Sequence, residues 1–180
     1  MSDTGGMLYV VVCGAGPASE VGILVGHAQA RGWDVQLVAT PAGAGFIDVA
    51  VLEAQTGRSV KSSYRAPDTP RGNPSAPDAV IVAPATFNTI NKLAAGISDT
   101  YALGFLAEWV GAGIPIIVLP FVNAALAARR PLRNAVRQLR SEGVVVLLGT
   151  PGHEPHPRGA GQGHIGAFPW QLALERAVGG

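Results

Sequence analysis

Residues 78–123 read DAVIVAPATFNTINKLAAGISDTYALGFLAEWVGAGIPIIVLPFVN. Two short apolar runs in this stretch, 79–82 and 115–119, each give way to proline and then a side-chain amide: Pro84 and Asn88, Pro120 and Asn123. Between them, apolar residues recur at helical spacing, first Ile90, Leu93, Ala94 and Ile97, then Leu103, Leu106, Ala107 and Val110. A strand, an intervening helical crossover and a second strand make a parallel pair. In open α/β sheets, ligands bind beyond the carboxyl ends of such strands. The polar tips at 84–89 and 120–123 therefore point to a site for a small polar molecule.

The same alternation extends outward in both directions. Residues 7–13 (MLYVVVC) form a continuous apolar run, as in a strand buried on both faces. Gly14-Ala15-Gly16-Pro17 breaks it, and Ser19 is placed to cap a helix with a stripe of Val21, Leu24, Val25 and Ala28. A second strand is expected at 34–39. A helix follows with Ile47, Ala50, Val51 and Ala54 inward, and 59–64 has the composition of a third strand. Four prolines between 65 and 77 mark a surface loop. After the strand at 114–119 comes a helix entered at Pro131, with Leu132, Ala135, Val136 and Leu139 on its inner face, then a sixth strand at 144–148. The Gly/Pro-rich tail from 149 holds His153, His156 and His164 and ends in a short helix from Pro169. We expect one domain over 1–180 with a flavodoxin-like, Rossmann-like three-layer α/β fold: a doubly wound, mainly parallel sheet of six strands.

Composition narrows the function classes. A net charge of +1 gives no footing for nucleic acid or an anionic membrane as the main partner. Arg129, Arg130, Arg133, Arg137 and Arg140 share one helix without interleaved aromatics, and we read them as a solvated or subunit-facing surface. Charged residues make up only 14% of the chain, which favours covering some surface in a homo-oligomer. With a single cysteine, Cys13, there is no disulfide framework and no cysteine metal cluster. The tail histidines match no standard metal spacing, so no metal is expected and solvated loop residues are. A tail folded back over the strand tips would instead deliver His164 or Arg158. No apolar run is long enough to span a bilayer and 1–6 carry no basic segment, so a cytoplasmic location is expected.

The first turn carries two glycines of a G-x-G-x-x-G pattern, but Ser19 stands at the third position. The acid expected at the end of the second strand is replaced by Thr40-Pro41, which argues against an adenine dinucleotide. A mononucleotide phosphate held by small residues, Ser19, Thr40 and a helix N-terminus fits better. A tight turn that needs glycine for purely structural reasons reads the same way.

Pro84-Ala85-Thr86-Phe87-Asn88-Thr89 resembles the PASANT motif of the homo-oligomeric flavin-containing cysteine decarboxylases, and Pro120-Phe121-Val122-Asn123 resembles the start of their PXMNXXMW motif. The resemblance implies FMN as cofactor, contacted by Gly14, Ala15, Gly16, Ser19, Thr40, Ala85, Thr86, Phe87, Asn88, Thr89 and Asp99. Asp99 serves equally as a cap for the next helix. It implies Asn88 and Asn123 as the residues holding a small-molecule or peptide substrate, flavin-dependent decarboxylation as the reaction, and trimers or trimer-based assemblies.

The catalytic half of the pattern is incomplete. The family's histidine near the third strand has no counterpart in 59–67 (SVKSSYRAP), Leu126-Ala127 replace Met-Trp, and 147–150 lack the cysteine some members carry. The general base is unassigned, and Cys13 reads as a small core residue. Two other readings stay open: a flavin-binding interaction protein without turnover, and a flavin prenyltransferase. Gly104 in place of that enzyme's arginine and Pro120-Phe121-Val122 in place of Pro-Arg-Glu weigh against the latter.

Overall fold

The computed structural model describes residues 5–64 and 75–179. Its sheet has five parallel strands in the order β2-β1-β3-β4-β5: β1 Met7–Val12, β2 Asp34–Ala39, β3 Ala79–Ala85, β4 Ile116–Pro120 and β5 Val145–Val146. Seven α-helices connect or flank them: α1 Gly22–Gln29, α2 Val49–Thr56, α3 Phe87–Ala94, α4 Tyr101–Gly111, α5 Ala124–Ala127, α6 Arg130–Ser141 and α7 Trp170–Val178. The order is flavodoxin-like, with its topological switch point between β1 and β3.

Side-chain alternation builds two cores from the central strands. Tyr9, Val11, Val80, Val82, Ile116 and Val118 face one layer, where they meet Leu103 and Leu106 of α4 and the α6 stripe Leu132, Ala135, Val136 and Leu139. Leu8, Val10, Val12, Ile81, Ile117 and Leu119 face the other, where they meet Leu24 and Val25 of α1 and Ala173 and Leu174 of α7. Each large aliphatic side chain so buried contributes about 1.5–3 kcal/mol of transfer free energy. Both faces are covered, which explains the unbroken apolar runs.

The third strand expected at 59–64 does not form, which leaves five strands where six were expected. Only Lys61 bridges to β2, accepting from Ala39 N–H at 2.8 Å and donating to Leu37 O at 3.0 Å. Beyond it Tyr64 leaves the sheet and packs edge-on against Tyr101 of α4, with ring centroids 5.3 Å apart. The last strand is also shorter than the apolar run 144–148 suggests. Leu147 N–H still reaches Val118 O at 2.9 Å, but Leu148 already turns away.

Helix α2 is placed correctly but rotated from expectation. Leu52 is its one buried residue, while Val49 and Val51 remain exposed. The reason is polar: Gln55 Nε2 donates to Gly22 O (3.0 Å) and Gln29 Nε2 donates to Gln55 O (2.8 Å), which lock that face onto α1. The proline-rich loop expected at 65–77 lies outside the described residues apart from 75–77. Among the described residues, no helix is long and apolar enough to cross a membrane.

Candidate functional site

The carboxyl ends of β1, β2, β3 and β4 lie side by side, and most of the singled-out residues collect there. Cys13 N–H donates to Pro84 O (3.2 Å), joining the first turn to the tip of β3. Gly14 sits so close to the β2 turn that a Cβ on it would come within 2.8 Å of the Ala42 Cβ. Thr40 is buried at the β2 tip. Its Oγ1 accepts from Gly43 N–H (3.0 Å), which leaves its own hydroxyl hydrogen for another acceptor.

Ser19 does not cap α1. Pro17 starts a 3-10 turn over Gly16–Glu20, Ser19 Oγ donates weakly to Gly16 O at 3.4 Å, and α1 begins at Gly22 without a side-chain cap. Proline's fixed φ favours this early, tight turn, and the helix cap moves from the expected Ser19 to Val21.

Thr86 is the cap of α3. Its Oγ1 accepts from Thr89 N–H (3.3 Å) and donates to Thr89 Oγ1 (3.1 Å). Phe87 and Asn88 follow on the first helical turn, where their N–H groups have no acceptor within the helix. Asn88 is exposed, and its amide takes no part in the cap. Ala85 is buried, and its carbonyl accepts from Phe121 N–H (2.9 Å), tying the β3 tip to the β4 tip. The Arg129 guanidinium lies 5.8 Å above the Phe87 ring. Asp99 stands apart from this set. It pairs with Lys92 on the last turn of α3, and Thr100, not Asp99, caps α4 by accepting from Leu103 N–H (3.2 Å).

Cys13 is buried as expected but is more than filler. Burial pushes its thiol pKa up, and hydrogen bonds with Thr89 and Thr86 oppose that only in part. Its position immediately before the glycine turn was the available signal for this contact.

Asn123 caps α5, its Oδ1 accepting from Leu126 N–H (2.9 Å). The tail then returns across the β4 tip and leaves His153 and His156 half-buried, contrary to the expectation of solvated loop histidines, while His164 stays exposed as expected. Ala124 N–H donates to His156 O (2.8 Å), and the His156 ring lies 4.8 Å from Phe121. Ile165 comes down on the first turn, so that a Cβ on Gly16 would meet it at 2.9 Å. Beneath the tail is a cavity of about 300 Å³, lined in part by Pro120, Phe121, His153, Glu154, His156 and His164. Among the described residues, no group of three or more His, Cys, Asp or Glu is placed to hold a metal ion. Arg158 does not line the cavity.

His153 is the most constrained of the three. Its Nε2–H donates to Pro120 O (2.7 Å) and its ring meets Phe168 edge-on at 5.4 Å. Burial lowers its pKa, with the Pro120 carbonyl and Glu154 opposing the shift. Below the ordinary imidazole value of about 6.5, the unfolded chain therefore takes up a proton that the folded chain resists. Stability falls as pH drops through that window and is untouched above it. We expect the melting temperature to decline between about pH 7 and pH 5, and less steeply in His153→Gln. Equal slopes in the two proteins would contradict this.

Among residues 59–64, no side chain is set up as a base in place of the family's histidine. Lys61 Nζ donates to Tyr9 OH at 3.4 Å and lies 5.2 Å from the centre of that ring. Burial raises the Tyr9 pKa, and Tyr64 is an exposed phenol.

The model of the Flavoprotein family matches residues 2–166. The chain belongs to that family. Decarboxylases are among the solved structures that share its fold. The FMN-dependent cysteine decarboxylase TvaF from thioviridamide biosynthesis is 25% identical over 94% of this chain and 96% of that one, with a TM-score of 0.67. The cypemycin decarboxylase CypD is 22% identical over 97% of each chain, with a TM-score of 0.69. The epidermin biosynthesis protein EpiD from Staphylococcus aureus is 22% identical over 78% of this chain and 81% of that one, with a TM-score of 0.65. The two likenesses at 22% identity speak for the fold. No curated protein sequence matches significantly. Membership of the Flavoprotein family points to a flavin as the cofactor.

Proposed function

We propose that the chain binds FMN at the β1/β3 switch point and uses it in a decarboxylase-type reaction on a small molecule or peptide end bearing a cysteine. The donor set is the observation that carries this. Small residues at Gly14, Ala15 and Gly16, the Ser19 and Thr40 hydroxyls and the start of the 3-10 turn suit a phosphate. The first turn of α3, with Thr86 to Thr89 and the Phe87 ring, suits a flat polar ring system. No acidic side chain ends β2, as a dinucleotide's ribose would require. When bound, the flavin supplies the redox chemistry of such a reaction. The chain's part is to orient cofactor and substrate, with Asn88 and Asn123 as the amides at the two strand tips. Tyr64 lies over Gly104, so that face offers a phenol where a prenyl phosphate needs a cation.

Asn88→Ala isolates the amide from the fold, because Thr86 makes the cap. Losing one hydrogen bond of about 0.5–1.5 kcal/mol weakens FMN binding roughly 2- to 12-fold. The melting temperature of the flavin-free protein should stay where it is. Flavin fluorescence titration and thermal unfolding measure the two effects. Unchanged affinity would remove Asn88 from the site.

A further inference from the structure

We propose that His156 is the proton acceptor of the tail cavity, taking the proton of a substrate thiol at the tip of β4, with His164 as a second acceptor beside it. This rests on the proposed function and supplies the base that 59–64 lacks.

The tautomers are set by the backbone. His156 Nδ1 lies 3.0 Å from Pro157 O, and His164 Nδ1 lies 2.9 Å from Ala160 O. A carbonyl only accepts, so in each neutral ring Nδ1 carries the hydrogen and Nε2 keeps its lone pair. His153 has the opposite assignment, since its Nε2 donates to Pro120 O. It therefore anchors the tail instead of taking a proton at that atom. The His156 ring is steadied against Phe121, and its backbone is bridged to Asn123. The His156 and His164 centroids are 5.5 Å apart. The other titratable groups lining the cavity are His153 and Glu154, and Glu154 Oε1 accepts from Gly152 N–H at 3.2 Å. An imidazole is suited to this work because its ordinary pKa of about 6.5 lies near neutrality. In the step itself the substrate S–H proton moves to His156 Nε2, forming an imidazolium. The bonding pair stays on sulfur as a thiolate, and no electron changes hands.

The test uses the full chain, labelled with ¹⁵N-histidine and loaded with FMN, and a short peptide ending in cysteine as probe. Long-range ¹H–¹⁵N spectra should show His156 and His164 protonated at Nδ1 and His153 at Nε2. Adding peptide should shift the His156 signals toward the doubly protonated form and change the flavin absorbance, while exposed His27 is unmoved. His156→Gln should slow bleaching of the flavin by peptide about 10²-fold or more, and His27→Gln should not. An Nε2–H tautomer at His156 overturns the inference, as does a flavin response with silent imidazoles or a larger loss in His164→Gln than in His156→Gln. In those cases the proposed function stands. A peptide that perturbs neither flavin nor imidazoles overturns both.

Discussion

Phe168→Ala is expected to cost about 3–5 kcal/mol and to release the tail from the strand tips. Phe168 is buried where three aromatic contacts meet: Phe121 at 5.8 Å, His153 at 5.4 Å and Trp170 at 4.7 Å between ring centroids. Truncation leaves a void at the point where the loop carrying the histidines joins α7. His153 loses its ring partner, and the bond from His153 to Pro120 O loses its support. Denaturant unfolding reads the global loss. Hydrogen exchange reads its distribution: residues 150–165 should exchange faster by a larger factor than β1 and β3. Uniform acceleration would show that the tail has no separate anchor, and a loss under about 1 kcal/mol would show that the site collapses onto the gap.

Gly43→Ala acts at the opposite side of the site. A Cβ there would lie 2.2 Å from Val12 O and 3.0 Å from Thr40 Oγ1. The first contact is with backbone that already accepts Thr40 N–H at 2.9 Å, so the β2 tip must move away from β1. Overpacking of this kind costs about 1–3 kcal/mol. It also displaces Thr40, so flavin affinity should fall beyond what lowered stability explains. Gly45→Ala is the control, because nothing lies within 4 Å of its Cβ position. Equal unfolding midpoints for the two variants would contradict the close approach of the β1 and β2 turns.

The central layers were legible because they obey simple periods. Met7 to Val12 is apolar at every position since alternate residues enter different cores. The α6 stripe of Leu132, Ala135, Val136 and Leu139 is buried as its spacing requires. Thr86 and Asn123 were visible as polar residues ending apolar runs, although what they do in the fold is to cap helices. The edges were harder to read. Ser59 to Tyr64 looks like a strand by composition, but one bridging residue satisfies the edge of β2, and the Tyr64–Tyr101 contact draws the chain off it. On α2 the apolar spacing lost to two glutamine hydrogen bonds. The tail misled most. Its glycines and prolines suggest solvent, and much of it is exposed, yet Phe168 and His156 pack against Phe121 and bring the segment back across the β4 tip. A long-range aromatic contact leaves no periodic trace in the sequence.

The most direct test of the account is the absorbance of the purified protein, with mass analysis of whatever small molecule denaturation releases. A flavin spectrum with stoichiometric FMN, or saturable binding when FMN is added to flavin-free protein, is the predicted result. Colourless protein that fails to bind added FMN, or release of FAD or a nicotinamide dinucleotide in its place, would contradict the reading of the β1/β3 switch point.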